Sequence, residues 1–236
     1  MLIGLLSDAH GNPLGLSTCL AALRREGVGP LYYLGDAMGY MSGEADVLRL
    51  LDEAGALCVR GNHEAMMLGE LDLDPVRDEA YGLAGVRERI SPRDRDTVAG
   101  WPERREVTVG DRRVLIVHGS PTQPLTGYVY PDTDIDRFGD LGYDAVFMGN
   151  THRPFVARRG DVLIANVGSC GLPRDQGDLM SCAVYDSEAH ACRILRVRLD
   201  TDEILGQFPN GVTHPIVSDC LHRQVEQPFG SVVPRA

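Results

Sequence analysis

The chain has no run of about 18 apolar residues, the length a membrane-spanning helix needs, and no basic region ahead of its short opening apolar stretch. It also has no CxxC pair among its six cysteines. A spanning helix, a secretory leader, a zinc knuckle and a thioredoxin-type site are therefore not expected. Cys19, Cys58, Cys170, Cys182, Cys192 and Cys220 read as mostly buried thiols in a reducing compartment, and the expected location is cytoplasmic. Positive charge is scarce as well. Lys plus Arg total 23 against 34 Asp plus Glu, a net charge of -11, which argues against a membrane surface or an extended nucleic-acid surface as partner. A local basic pocket and a homo-oligomer remain compatible with this balance. No internal repeat and no clear linker divides the 236 residues, so a single domain over 1–236 is expected. A chain of that length buries a full core without disulfides or a structural metal.

What is present is an alternation of short apolar runs with amphipathic segments. "MLIGLL" predicts a strand, Leu14, Leu16, Leu20 and Leu23 give helical spacing within 13–28, and "LYYLGD" (31–36) predicts a second strand. "EADVLRLLDEAG" (44–55) predicts a helix closed by Gly55, and "ALCVRGN" (56–62) a third strand. Two successive βα units argue for parallel strands with right-handed crossovers. Residues 63–100 are charged and helical in pattern, and are expected to form a mostly helical insert or cap over the site. "REVTVGDRRVLIVHG" reads as a hairpin turning at Gly110-Asp111, followed by a helix near 132–141, the strand "DAVFMGN", and short strands at 153–158, 161–166, 180–186 and 191–199. The expected fold is α/β: a four-layer αββα sandwich in which two mixed β-sheets pack face to face with helices outside. Residues 207–236 have little periodicity and are expected to be an irregular C-terminal tail.

Five predicted strands end in the same kind of side chain. Asp8 and His10 follow the first, Asp36 the second, Asn62 and His63 the third, His118 the hairpin, and Asn150 and His152 the strand after it. Each has an ordinary reading: Asp8 or Asn62 as a helix cap, His118 as a turn residue bonded to backbone. Their joint occurrence carries the weight. The carboxyl ends of parallel strands open into a common crevice, so groups distant in sequence converge there. Carboxylates, imidazoles and an amide oxygen form a mixed N/O set suited to Mn²⁺, Fe, Zn²⁺ or Ni²⁺, whereas all-oxygen sets favour Mg²⁺ or Ca²⁺. A two-metal centre is the natural hypothesis.

The ordered motifs Asp8-Ala-His10, Gly35-Asp36, Gly61-Asn62-His63-Glu64, His118-Gly119 and Gly149-Asn150-Thr151-His152 resemble the signature of the calcineurin-like metallophosphoesterase superfamily. "SDAHGN", "LGDAMGY", "VRGNHE", "VHGSPTQPL" and "NVGSCGLPRD" resemble its small prokaryotic phosphodiesterase branch, related to diadenosine tetraphosphatase and protein phosphatases. The resemblance implies that Asp8, His10 and His152 hold a first divalent metal, that Asp36 bridges, and that Asn62 and His118 hold a second. It also implies His63 as general acid. Mn²⁺ is the expected metal, with Fe, Zn²⁺, Ni²⁺ or Mg²⁺ as alternatives. The implied reaction is hydrolysis of a phosphodiester, in a small phosphorylated molecule or nucleotide, by a metal-bridging hydroxide. A phosphomonoesterase or protein phosphatase is the alternative enzyme, and a weakly active or inactive metal-binding scaffold the alternative outside enzymes.

The scaffold alternative arises from one departure. Where the family reads Gly-His-x-His, this chain has "GNTH", so Asn150 stands in place of a histidine expected on the second metal. Asn150 ligates directly, water fills the gap, or the second metal binds only with substrate. "GDAMGY" lacks the acidic residue and arginine that protein phosphatases of this type carry there. Arg60, Arg153 and Arg174 are candidates for gripping substrate phosphate through bidentate bonds. Glu64 is a candidate to orient backbone or His63, Asn166 and Ser169 to support the site, and Cys170 is read as structural because no base motif accompanies it.

Overall fold

The alternation within the opening run sets the architecture. In β1 (Leu2–Leu6), Ile3 and Leu5 enter one apolar cluster while Leu2 and Leu6 enter another, so the strand is buried on both faces. The computed structural model describes residues 1–138, 140–208 and 214–235. After β1 come α1 (Pro13–Arg25), β2 (Leu31–Tyr33), α2 (Glu44–Glu53) and β3 (Leu57–Cys58), with β1, β2 and β3 paired in parallel. The Asn12 side chain accepts the Gly15 N–H, and Pro13, which has no N–H to satisfy, opens α1. Gly55, in the left-handed region at φ 63°, turns the chain out of α2 while the Ala56 N–H donates to Leu51 O.

The charged stretch over 63–100 holds α3 (Asn62–Leu68), α4 (Pro75–Tyr81), α5 (Leu83–Arg89) and α6 (Pro92–Ala99). Arg87 of α5 ties the end of α3 by donating to the carbonyls of Met66 (2.7 Å) and Met67 (3.0 Å). β4 (Arg104–Val109) and β5 (Arg112–Val117) form the hairpin, and β6 (Ala145–Met148), β7 (Phe155–Arg159) and β8 (Val162–Asn166) complete a sheet of order β4-β5-β6-β8-β7. β9 (Leu179–Asp186), β10 (Ala191–Arg198), α7 (Thr201–Leu205), α8 (Pro215–Leu221) and β11 (Ser231–Val233) follow. The first sheet runs β11-β10-β9-β1-β2-β3. Ile3, Leu5 and Leu34 from it meet Val114, Ile116, Phe147 and Ala165 from the other, forming the core between two mixed sheets. α1, α2 and the insert helices cover the far side of the first sheet. Val129 and Phe138 cover Leu115, Val117, Val146 and Met148 on the far side of the second.

Two expectations need correction or refinement. The helix expected near 132–141 is a single 3-10 turn, Ile135–Phe138, with residue 139 outside the described residues. The tail expected to be irregular over 207–236 instead carries α8 and β11, while residues 209–213 and 236 lie outside the described residues. β11 pairs in parallel with the edge of β10, Leu195 opposite Ser231 and Val197 opposite Val233, and α8 buries Val217, Cys220 and Leu221. Elements of three and seven residues are too short to show a period, so tertiary packing decides them.

The tail is also tied in by a buried cation. Arg196 on β10 is fully buried, its guanidinium 2.6 and 3.0 Å from the Asp175 carboxylate, and it donates to the carbonyls of Leu179 and Phe229. Removing one partner of such a pair leaves the other charge uncompensated. Arg196→Ala is therefore expected to lower stability by about 3–5 kcal/mol, read by urea denaturation, whereas Arg196→Met combined with Asp175→Leu recovers most of that loss.

Candidate metal centre

The predicted site residues sit in sharp turns at strand ends, and the turns are strained in a shared way. Asp8 (φ 56°), His10 (48°), Asp36 (59°), Asn150 (65°) and His152 (56°) all occupy the left-handed region. Asp, Asn and His tolerate it better than other non-glycine residues, at a cost of about 1–2 kcal/mol each. The turns brace one another. Asp8 N–H donates to Gly35 O and His10 N–H to Asp36 O, Ala9 N–H donates to the Tyr33 hydroxyl, and Ser169 Oγ donates to Asp8 O at 2.6 Å. Two glycines are needed for close approach. A Cβ on Gly61 would lie 2.1 Å from Asp36 Oδ1, and one on Gly149 would lie 2.6 Å from Asp8 Oδ2.

Glu64 acts as the backbone anchor. Its carboxylate accepts the N–H groups of Gly61 (2.7 Å), Asp36 (2.8 Å) and Ala37 (2.6 Å), joining the second and third turns, while burial and the Asp36 charge push its pKa up to about 7. Asn166 plays a similar part between Gly149 O and Thr151 Oγ1. Cys170 is fully buried, and burial raises its thiol well above the usual range, in keeping with a structural role.

The turns bring Asp8, His10, Asp36, His63, His118 and His152 into one buried cluster. Ligand-capable atoms of Asp8, His10 and His152 lie within 4.8 Å of one another, as do those of Asp8, Asp36 and His118, and those of His10, Asp36 and His63. Asn62 joins through Oδ1, 3.0 Å from His118 Nε2. Asn150 donates its backbone N–H to Asp8 Oδ2 (3.0 Å) and its amide NH₂ to Gly127 O (2.9 Å), which leaves its Oδ1 as the atom able to approach a cation.

Each imidazole in the cluster turns Nδ1 toward a backbone carbonyl: His10 to Met38 (3.2 Å), His63 to the same oxygen (3.0 Å), His118 to Leu34 (2.7 Å) and His152 to Leu172 (2.6 Å). A carbonyl only accepts, so the proton of a neutral ring sits on Nδ1 and Nε2 presents a bare lone pair inward. His10 Nε2 and His152 Nε2 then face each other at 2.9 Å. Asp8 Oδ1, 3.2 Å from His152 Nε2 and 3.6 Å from His10 Nε2, is buried without a hydrogen bond. Lone pairs crowded together in a dry site repel, and cations among them convert the repulsion to coordination. The residues fit divalent metal.

The electrostatics of the metal-free cluster agree. Burial would raise the Asp8 carboxyl, but the imidazoles of His152, His10 and His118 hold it well below the usual range, and His118 and His63 do the same for Asp36. Burial pushes His63 down to about 3 and His152 to about 4, although Asp36 and Asp8 pull the other way. His118 is the exception: Asp36 overcomes its burial and raises it to about 10.

The arginine candidates separate. Arg60, one of the three candidates for gripping phosphate, forms a two-pronged pair with Glu70 (2.6 and 2.7 Å), an acidic partner ten residues away, and is not among the residues that line the cleft beside the cluster. Arg153 and Arg174 line a cleft of about 470 Å³ beside the cluster, together with Tyr40 and Tyr81. Tyr40 stacks on His63 at 5.4 Å, and Tyr81 lies 4.5 Å from the same ring. Arg77 and Arg223 also line this cleft. Neither was singled out from the sequence, where neither stands near a motif.

Residues 1–190 match the model of the calcineurin-like phosphoesterase superfamily domain. The chain belongs to this superfamily. It is 27% identical over 218 residues to an uncharacterised protein of Methanocaldococcus jannaschii, covering 84% of this chain and 88% of that one. A probable metallophosphoesterase of Methanothermobacter thermautotrophicus is 26% identical over 144 residues, 55% of this chain and 79% of its own. Among solved structures, a metallophosphoesterase from Sphaerobacter thermophilus superposes with a TM-score of 0.70 at 24% identity, covering 88% of this chain and 92% of that one. The chain is thus a phosphoesterase hydrolase of a family that uses divalent metals, and its two-sheet fold is the family's. Among the described residues, no helix is long and apolar enough to cross a membrane.

The burial and charge around these imidazoles predict how the protein, stripped of metal, responds to pH. His63 and His152 have folded-state pKa values of about 3 and about 4, below the ordinary 6.5. Below pH 6.5 the unfolded chain therefore binds protons that the native state refuses, and stability falls as pH drops toward 3. His118, raised to about 10, works in the opposite sense: its contribution is complete below pH 6.5 and is lost as pH rises through 10. Denaturant melts in excess chelator are expected to show maximum stability near neutrality, and a flat profile from pH 4 to 9 contradicts these environments.

Proposed function

We propose that the chain is a divalent-metal-dependent phosphodiesterase acting on a small phosphorylated molecule or nucleotide. The observation that carries this reading is the 2.9 Å approach of His10 Nε2 to His152 Nε2 beside the unpartnered Asp8 Oδ1, next to a cleft lined by arginines, one of which, Arg153, directly follows His152. Asp8, His10 and His152 would hold one cation, Asn62 and His118 a second, and Asp36 would reach both. Bound there, divalent metals supply Lewis acidity toward phosphoryl oxygens and make hydroxide available near neutral pH. Mn²⁺ suits the mixed imidazole and carboxylate set.

His63 would carry the proton transfer, and its surroundings support that reading. Its Nδ1 is held by Met38 O, its backbone N–H donates to Asp36 Oδ1 (2.9 Å), and its Nε2 lies 3.8 Å from Asp36 Oδ2. The ring is neutral in the isolated protein because burial lowers its pKa. An anionic phosphate alongside favours the imidazolium, which then donates from Nε2 to the departing ester oxygen. The absence of an acidic residue and arginine in "GDAMGY" argues against the protein-phosphatase alternative, and the cleft leaves room for a substituent beyond the reacting phosphorus.

Metal-stripped protein is expected to hydrolyse bis(p-nitrophenyl) phosphate with saturable dependence on Mn²⁺, and to prefer it to p-nitrophenyl phosphate. The reverse preference moves the assignment to a phosphomonoesterase, and no turnover of either moves it to a metal-binding scaffold. Asp36→Asn is expected to lower both bound Mn²⁺ and kcat, by about a hundredfold or more for kcat, because it weakens both positions together. His63→Ala should slow an alkyl ester by about 10²–10⁴ while slowing activated aryl esters much less; equal losses on both remove the general-acid role. Asn150→His should bring half-maximal activity at about tenfold lower Mn²⁺, and an unchanged Mn²⁺ dependence separates Asn150 from the second cation.

A further inference from the structure

The cleft next to the cluster gathers four guanidinium groups in a chain of net charge -11: Arg77 from α4, Arg153 directly after His152, Arg174 from the loop before β9, and Arg223 after α8. The chain contains no lysine, so choice of arginine carries no signal by itself; placement does. Arg49, Arg89 and Arg193 elsewhere on the surface are paired with carboxylates. Among the described residues no such ion pair forms at Arg77, Arg153, Arg174 or Arg223. Half-buried Arg174 donates instead to the Tyr40 hydroxyl (2.7 Å), and Arg223 Nη1 donates to Arg174 O (3.1 Å). Four cations that converge without internal carboxylates repel one another until an anion enters.

The same cleft joins the proposed reaction centre through covalent and hydrogen-bonded neighbours. Arg174 N–H donates to His152 O at 3.2 Å, and Leu172, two residues before Arg174, supplies the carbonyl that holds His152 Nδ1. Tyr130 lines the cleft and stacks on Tyr128, ring centroids 6.1 Å apart and planes 9° from parallel. The two rings are 40% and 45% exposed. A parallel, half-exposed aromatic pair bordering an arginine cluster has the chemistry of a base-stacking platform next to a phosphate grip.

We propose that this cleft binds the part of the substrate beyond the reacting phosphorus, and that this part is an anionic nucleotide: a nucleoside carrying at least one phosphate in addition to the one cleaved. Arg77, Arg153, Arg174 and Arg223 take the additional phosphate, and Tyr130 takes the base. The assignment rests on the phosphodiesterase reading above and adds to it the substrate class. It also accounts for a basic, aromatic recess on an otherwise acidic protein, which hydrolysis of a singly charged diester does not require.

The test is calorimetric binding of α,β-methylene-ADP, AMP and adenosine to the full chain loaded with Mn²⁺, repeated after chelation. The expected order is α,β-methylene-ADP tightest, at least tenfold above adenosine with or without metal, with the preference shrinking as salt is raised. Arg77→Ala combined with Arg223→Ala, both exposed positions, should weaken α,β-methylene-ADP at least fivefold and leave adenosine unchanged. Tyr130→Ala should weaken the nucleotide more than it weakens inorganic pyrophosphate. Equal binding of α,β-methylene-ADP and adenosine, or no loss in the double arginine variant, overturns the assignment. Turnover of bis(p-nitrophenyl) phosphate by the unaltered protein is measured alongside. Turnover without nucleotide preference refutes the cleft assignment alone, whereas the preference without turnover supports an anionic nucleotide site and removes the diesterase reading.

Discussion

The orientation of four buried imidazoles is the constraint on which the rest of the structure depends. Each ring gives Nδ1 to a main-chain carbonyl, and those carbonyls belong to Leu34, Met38 and Leu172, residues just outside β2 or in the loop before β9. The tautomer is thus set by backbone position rather than by another side chain. Two sheets must meet at the correct depth for this to happen, since His10 follows a strand of one and His152 a strand of the other. Packing of Ile3 and Leu5 against Ile116 and Phe147 sets that depth, so the apolar core between the sheets and the polar cluster at their ends are two parts of one arrangement.

That arrangement stores local strain. Left-handed backbone at Asp8, Asp36, Asn150 and His152 is tolerated because surrounding bonds over-determine it, most visibly the three N–H groups gathered by Glu64. Glycine at positions 61 and 149 lets the following turns approach the carboxylates of Asp36 and Asp8 more closely than any side chain would allow. Steric permission, backbone anchoring and charge therefore act on the same few atoms.

The sequence made most of this readable because the site lies where periodicity ends. Asp8, Asp36, His118 and His152 interrupt apolar runs, and interruption of a strand is a strong local signal. The parallel β1-β2-β3 order and the hairpin at Gly110-Asp111 were legible for the same reason. Less legible was anything decided by distant partners. β11 exists because the edge of β10 accepts it, and α8 because a pocket of the first core accepts Cys220 and Leu221. Arg60 looked available until Glu70 was placed beside it. Arg77 on α4 and Arg223 after α8 converge from segments nearly 150 positions apart, with no local pattern to announce the meeting.

Met38 O accepts from both His10 and His63. One of these rings is proposed to hold a cation and the other to move a proton, yet a single oxygen with two lone pairs fixes the rotation of both. The two tasks consequently share one degree of freedom. A shift in the peptide plane at this position would tilt both rings at once, so the strength of cation capture and the aim of the proton donor cannot be adjusted separately from within this turn. Independent adjustment has to come from the other side of each ring, from Tyr40 and Tyr81 around His63 and from His152 beside His10.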